Sequence, residues 1–226
     1  MELGTAFHTR ALASVLALAL PTLGIQEAAA ARLDLRVVAV DGSVLAGTVV
    51  VVRSTNSSRP PATPTKGVMD QMNREFVPHV LIVPVGSRVT FPNSDTVSHQ
   101  IYSFSPAKKF QFPLYRGSPN PPVDFDRAGV VTIGCNIHDQ MRAYVFVVDG
   151  QYYGRTDTSG AWNAADVEPG EYTVLVWHPL SREMRPIIEQ QVRVTDASAG
   201  TSLTLRVATP LKLRAESTVP ANWDAY

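Results

Sequence analysis

From residue 31 onward the chain alternates short β-branched or apolar runs with glycine, proline, asparagine and aspartate, which is the pattern of strands joined by turns. Leu33-Asp34-Leu35-Arg36-Val37 has period-two alternation, Asp41-Gly42 marks a turn, and Gly47 to Val52 reads as a returning strand, so a β-hairpin or a pair of neighbouring strands is expected. Ser54 to Thr65 holds Ser57, Ser58, Pro60, Pro61 and Pro64 without an apolar period and predicts a surface loop or linker. Phe76 to Val83 predicts an apolar strand, which Pro78 and Pro84 assign to an edge or a bulge. Arg88 to Phe91 predicts a further short strand, and Asn93-Ser94-Asp95 supplies turn chemistry before His99 opens His99-Gln100-Ile101-Tyr102-Ser103-Phe104. Phe110, Phe112 and Leu114 alternate, Gly117 to Pro122 reads as a loop, and Val130 to Cys135 and Ala143 to Val148 predict two strong strands.

Composition narrows the class. Seventeen prolines and fourteen glycines scattered among these runs favour an all-β chain. Residues 1–30 resemble an export signal: Arg10 supplies positive charge, Ala11 to Leu20 a short apolar core, and Ala28-Ala29-Ala30 small residues for a peptidase. That core is too short to span a membrane, so the mature chain is expected to be periplasmic with no membrane span. Its formal net charge of 0 becomes +1 when Arg10, Glu2 and Glu27 leave with the signal, which gives no reason to expect nucleic-acid binding.

Cys135 is the only cysteine, so no internal disulfide can form. An exposed thiol is a liability in an oxidising compartment, whereas a metal-bound thiolate is chemically occupied. In Gly134-Cys135-Asn136-Ile137-His138-Asp139-Gln140-Met141 a thiolate, an imidazole and a thioether follow one another at intervals of three, and His99 is placed to complete the set from a distant strand. Two imidazoles and a thiolate in a plane, with a weak axial thioether, suit a copper ion that shuttles single electrons. The expected ligands are therefore His99, Cys135, His138 and Met141, with Asn93 expected to tie the His99 turn to the Cys135 strand and so orient the ligands. His79 and His178 are spare histidines, the second expected at a strand end, and no acid/base pair, phosphate loop or zinc spacing stands out.

Several motifs resemble the cupredoxins, and among them the amicyanin and plastocyanin group. Val83-Pro84-Val85-Gly86-Ser87-Arg88-Val89-Thr90-Phe91-Pro92-Asn93 resembles the family's strand pair, with Asn93 six residues before His99. Phe125, Ala128 and Gly129 stand before Cys135 as in the family, and Cys135, His138 and Met141 match the short ligand loop of amicyanins. The Gly-Cys-Asn-Ile-His-Asp-x-Met stretch is also similar to bacterial exported proteins labelled methylamine utilisation proteins. Ser98 and Gln100 depart from the family's usual proline and asparagine around the first ligand histidine. The resemblance implies a Greek-key β-sandwich over 67–148, one blue (type 1) copper, no enzymatic activity, and a redox partner such as a c-type cytochrome or a periplasmic dehydrogenase.

Residues 149–209 have another pattern. Thr156, Asp157, Gly160, Pro169, Gly170 and Tyr172 resemble the turns of carboxypeptidase-regulatory or transthyretin-like β-sandwich modules, and Asp41 to Gly47 resembles the opening turn of the same module. Residues 31–66 are thus expected either with the copper domain or packed with this second module, and 210–226 as a tail. Copper chaperoning or storage, or a purely structural sandwich, are the functions that compete with electron transfer.

Overall fold

The computed structural model describes residue 1 and residues 31–56, 59–181, 184–195 and 200–208. The expected export signal and tail lie almost wholly outside them. The described residues are all-β, in chain order β1 (Ala31–Ala39), β2 (Val49–Ser54), β3 (Lys66–Val68), β4 (Asp70–Met72), β5 (Glu75–Val77), β6 (Val80–Pro84), β7 (Ser87–Thr90), β8 (His99–Ser105), β9 (Lys108–Tyr115), β10 (Val123–Phe125), β11 (Gly129–Gly134), β12 (Arg142–Val148), β13 (Tyr152–Arg155), β14 (Ala161–Val167), β15 (Gly170–Trp177), β16 (Ile188–Val194) and β17 (Thr201–Val207).

Four sheets stack face to face. The order is β14-β1-β17, then β13-β2-β15-β16, then β6-β12-β11-β8-β9, then β10-β7-β3, with β4 and β5 as a separate ribbon. Three apolar layers separate them. Leu33, Leu35 and Val37 meet Val50, Val174 and Val176 in the first, and Val83, Val131, Ile133 and Val145 meet Val89 and Phe125 in the third. The middle layer joins the two sandwiches: Val49, Val51, Leu175 and Trp177 pack on Val80, Val130, Tyr144 and Phe146.

This stacking explains the apolar runs that lack alternation. A strand covered on one face alternates, whereas one covered on both faces is apolar throughout. In β12, Ala143, Val145 and Val147 face one core while Tyr144, Phe146 and Val148 face another. The Val49 to Val52 run is split the same way. The path of the chain follows from these pairings: β2 is flanked by β13 and β15, and β1 by β14 and the parallel β17, so residues 66–148 leave this sandwich and return to it.

The apolar stretch from Phe76 to Val83 is two strands rather than one. Pro78 offers no N–H to continue a ladder, and the chain passes from β5 to β6 around Pro78 and His79. Pro84 ends β6, an outer strand of its sheet, where a missing donor is tolerated.

Candidate metal centre

The run Val130-Val131-Thr132-Ile133 favours an extended backbone and alternates its side chains across the sheet. Ile133 and Cys135 consequently enter the same core, and Cys135 is buried. The connection to β12 is short and closed by two backbone bonds: Met141 N–H donates to His138 O at 2.9 Å and Cys135 N–H to Met141 O at 3.3 Å. These bonds set Met141 beside Cys135 in the core and leave His138 half-buried.

Asn93 builds the opposite side. Its backbone exchanges hydrogen bonds with Gly117, its Nδ2 donates to Val97 O at 3.0 Å and to Tyr115 O at 2.7 Å, and its Oδ1 accepts from Asp95 N–H at 3.0 Å. Its amide therefore anchors the His99 turn to the end of β9, not to the Cys135 strand as the sequence suggested. The physical reason lies in the pairing of β8 with β9, which sets His99 opposite Tyr115.

His99 is fully buried, and its Nε2 lies 2.9 Å from Asp95 Oδ2. Asp95 also accepts from Arg74 N–H and Thr96 N–H at 2.7 Å each. The bond from His99, followed by those from the backbone, lowers the Asp95 pKa to about 2. An ionised carboxylate only accepts, so the His99 Nε2 carries the hydrogen and Nδ1 presents its lone pair. Sequence reasoning missed this role of Asp95; its only local signal was a carboxylate four residues before the histidine, within a turn.

His99 Nδ1 and His138 Nδ1 are 3.1 Å apart, and Cys135 Sγ lies 3.9 Å from each. A point within this triangle lies about 2.1 Å from all three atoms, which matches the ~2.0–2.3 Å bonds of imidazole and thiolate to a transition metal. His99, Cys135 and His138 are the one group of metal-capable side chains brought together among the described residues. Imidazole and thiolate together suit a borderline or soft transition metal ion and not calcium or magnesium. Beside this group is a cleft of about 350 Å3, lined by the half-buried Tyr102 and Thr132, the exposed Asp139 and Arg142, and the buried Cys135 and Met141.

The other histidines stand apart from it. His79 packs edge-on against Tyr144 at 5.6 Å, and burial pushes its pKa below the usual imidazole value. His178 follows the last residue of β15, donates from Nε2 to Ala46 O at 3.2 Å and accepts from Leu180 N–H at 3.1 Å. Desolvation lowers its pKa to about 4.

No family model and no curated protein matches the chain. Among solved structures it is similar to a purple cupredoxin from Nitrosopumilus maritimus, at 24% identity over 36% of this chain and 99% of that one, with a TM-score of 0.33. It is similar to amicyanin from Paracoccus versutus at 19% identity, over 43% of this chain and 97% of that one, with a TM-score of 0.33. A copper-containing nitrite reductase from Thermus scotoductus is 21% identical over 42% of this chain and 26% of that one, with a TM-score of 0.35. In each case the matched part is less than half of this chain.

Proposed function

We propose that the chain carries single electrons through one type 1 copper ion held by His99, Cys135, His138 and Met141. The observation that carries this reading is the convergence of two imidazole Nδ1 atoms and one thiolate sulfur on a common point, with the His99 lone pair aimed there by Asp95. Copper bound there would supply a one-electron couple. The protein's part is to keep the donors still. Asp95 fixes the His99 ring, Asn93 fixes the turn that carries Asp95, and the backbone bonds within 135–141 fix the other three side chains. Packing of Cys135 and Met141 into a dense core adds resistance to movement, so a change of oxidation state costs little rearrangement.

Burial also favours a carrier over a chaperone. A chaperone must hand its metal over through accessible ligands, whereas His99, Cys135 and Met141 are 0%, 3% and 2% exposed. Electrons do not need such access; the half-buried His138 provides a short path to a docked partner. We assign the chain to the periplasm on the composition of residues 1–30, and a c-type cytochrome or a periplasmic dehydrogenase as its redox partner. Cyclic voltammetry of the copper-loaded chain tests the reading. A reversible one-electron wave that Cys135→Ser removes is expected, and a copper-loaded chain without a reversible wave overturns it.

A further inference from the structure

The ribbon of β4 and β5 belongs to none of the four stacked sheets, and so short a hairpin has little stability of its own. Gln71 and Phe76 stand opposite each other across it, and both are buried. Three of its residues hold the turn that carries His99. Gln71 Nε2 donates to Pro92 O at 2.9 Å, and Asp70 accepts from Ser94 N–H at 3.1 Å and from Ser94 Oγ at 2.7 Å. Arg74 N–H donates at 2.7 Å to Asp95 Oδ2, the same oxygen that lies 2.9 Å from His99 Nε2. The tip of the ribbon gives this last bond its interest. Asn73 and Arg74 have φ of 53° and 60°, the left-handed pair of a two-residue type I′ hairpin. Asparagine tolerates that conformation, whereas a long side chain adopts it at a cost, and such strain collects where surrounding contacts and function demand it. The Arg74 side chain is exposed, and its backbone N–H is the group that reaches Asp95.

We propose that this ribbon positions Asp95 behind His99, with Asp70 and Arg74 as its positioning residues, and thereby sets the affinity of the centre for copper and its reduction potential. The proposal rests on the copper reading of the His99, Cys135 and His138 group. A carboxylate held at one oxygen can still rotate about its side-chain bonds. Asp95 is held at both: Thr96 N–H, from the turn itself, takes Oδ1, and Arg74 N–H, from the ribbon, takes Oδ2. His99 Nε2 therefore finds its acceptor already in place. The two bonds from Ser94 to Asp70 keep ribbon and turn in register one residue before Asp95, while Asn93 anchors the turn to the end of β9. A fixed carboxylate keeps the His99 Nδ1 aimed at the metal and feeds electron density through the ring. One that is free to swing does both less well, which weakens binding, favours Cu(I) over Cu(II) and raises the potential.

The test compares the full chain with Asp70→Ala, Asp70→Asn, Asp95→Ala and the double variant Asp70→Ala/Asp95→Ala. Copper affinity is read by chelator competition, the potential by voltammetry, and the Arg74 amide by hydrogen exchange in the metal-free chains. Asp70→Ala is expected to weaken copper binding several-fold, raise the potential and speed exchange at Arg74. Asp70→Asn, which loses the charge but can still accept from Ser94 N–H and donate to Ser94 Oγ, should stay close to wild type. In the Asp95→Ala background, where there is no carboxylate left to position, Asp70→Ala should change neither affinity nor potential further. An equal effect of Asp70→Ala in both backgrounds, or an equal effect of Asp70→Asn and Asp70→Ala, overturns the proposal and leaves the copper centre intact. Arg74 exchange that is no faster in Asp95→Ala than in wild type also overturns it, without reference to any metal. A wild-type chain that retains no copper overturns the copper reading, and the proposal with it.

Discussion

Asp95 Oδ2 and His99 Nε2 are 2.9 Å apart, and this one contact decides which nitrogen of the buried imidazole faces Cys135 and His138. A carboxylate behind a ligand histidine fixes its ring and raises its basicity, and losing such a partner typically costs about 10–100-fold in metal affinity. Asp95→Asn retains an accepting oxygen but not the charge. It is expected to weaken copper binding within that range and to raise the reduction potential, whereas Asp95→Ala, which also frees the ring, weakens binding further. Competition titrations against a chelator of known affinity check the order.

Tyr102 lies over Gly134, its partner across β8 and β11. A Cβ built on Gly134 would stand 2.9 Å from both Cζ and Oη of the tyrosine, closer than packed atoms approach. Gly134→Ala is therefore expected to cost about 1–3 kcal/mol, as overpacking does. Adding Tyr102→Ala makes room for the new methyl, so the double variant should lose less than the sum of the two single changes. Urea unfolding of the four chains measures the coupling, and strict additivity would count against the contact.

His178 gives stability a pH dependence with a definite sign. Its pKa falls from 6.5 to about 4 on folding, because burial penalises the cation by more than the bond to Ala46 O favours it. Between those values the unfolded chain binds more protons than the folded one, so stability is complete above pH 6.5 and is lost as pH falls towards 4. The loss is about 3 kcal/mol at full protonation, from roughly 1.4 kcal/mol per pKa unit. His178→Gln keeps a donor for Ala46 O and cannot protonate. Its stability should vary less with pH than that of the wild type across this window, as read from denaturant midpoints.

Trp177 is fully buried between the sandwiches, its ring 5.0 Å from that of Tyr144 and 5.5 Å from that of Phe146. Trp177→Ala is expected to cost about 3–5 kcal/mol through lost burial and the cavity left behind. Because Cys135 and Met141 pack in the other core layer, across the sheet from Trp177, the variant should bind copper with an unchanged spectrum at temperatures where it remains folded. Calorimetry and absorption on the same sample separate the two effects.

The all-β class was legible because turn residues and β-branched runs are local signals, and so was the turn that joins Cys135 to His138 and Met141. The stacking was hidden. An unbroken run such as Ala143 to Val148 predicts a strand, yet the cover on its second face comes from Leu175 and Trp177, far along the chain. The role of Asp95 was hidden for a related reason: an aspartate in a turn ordinarily bonds its own backbone, and this one does so through Thr96 N–H while its other oxygen reaches His99. The direction of the Asn93 amide depended on the pairing of His99 with Tyr115 across β8 and β9, which no local pattern specifies.

Copper held by His99, Cys135 and His138 through a sulfur bond absorbs visible light, and the absorption spectrum of the chain loaded with Cu(II) records that bond. An intense thiolate-to-copper band at one copper per chain, absent from Cys135→Ser, is the expected result. Cu(II) bound at that stoichiometry without the band, or a band that survives Cys135→Ser, would contradict it.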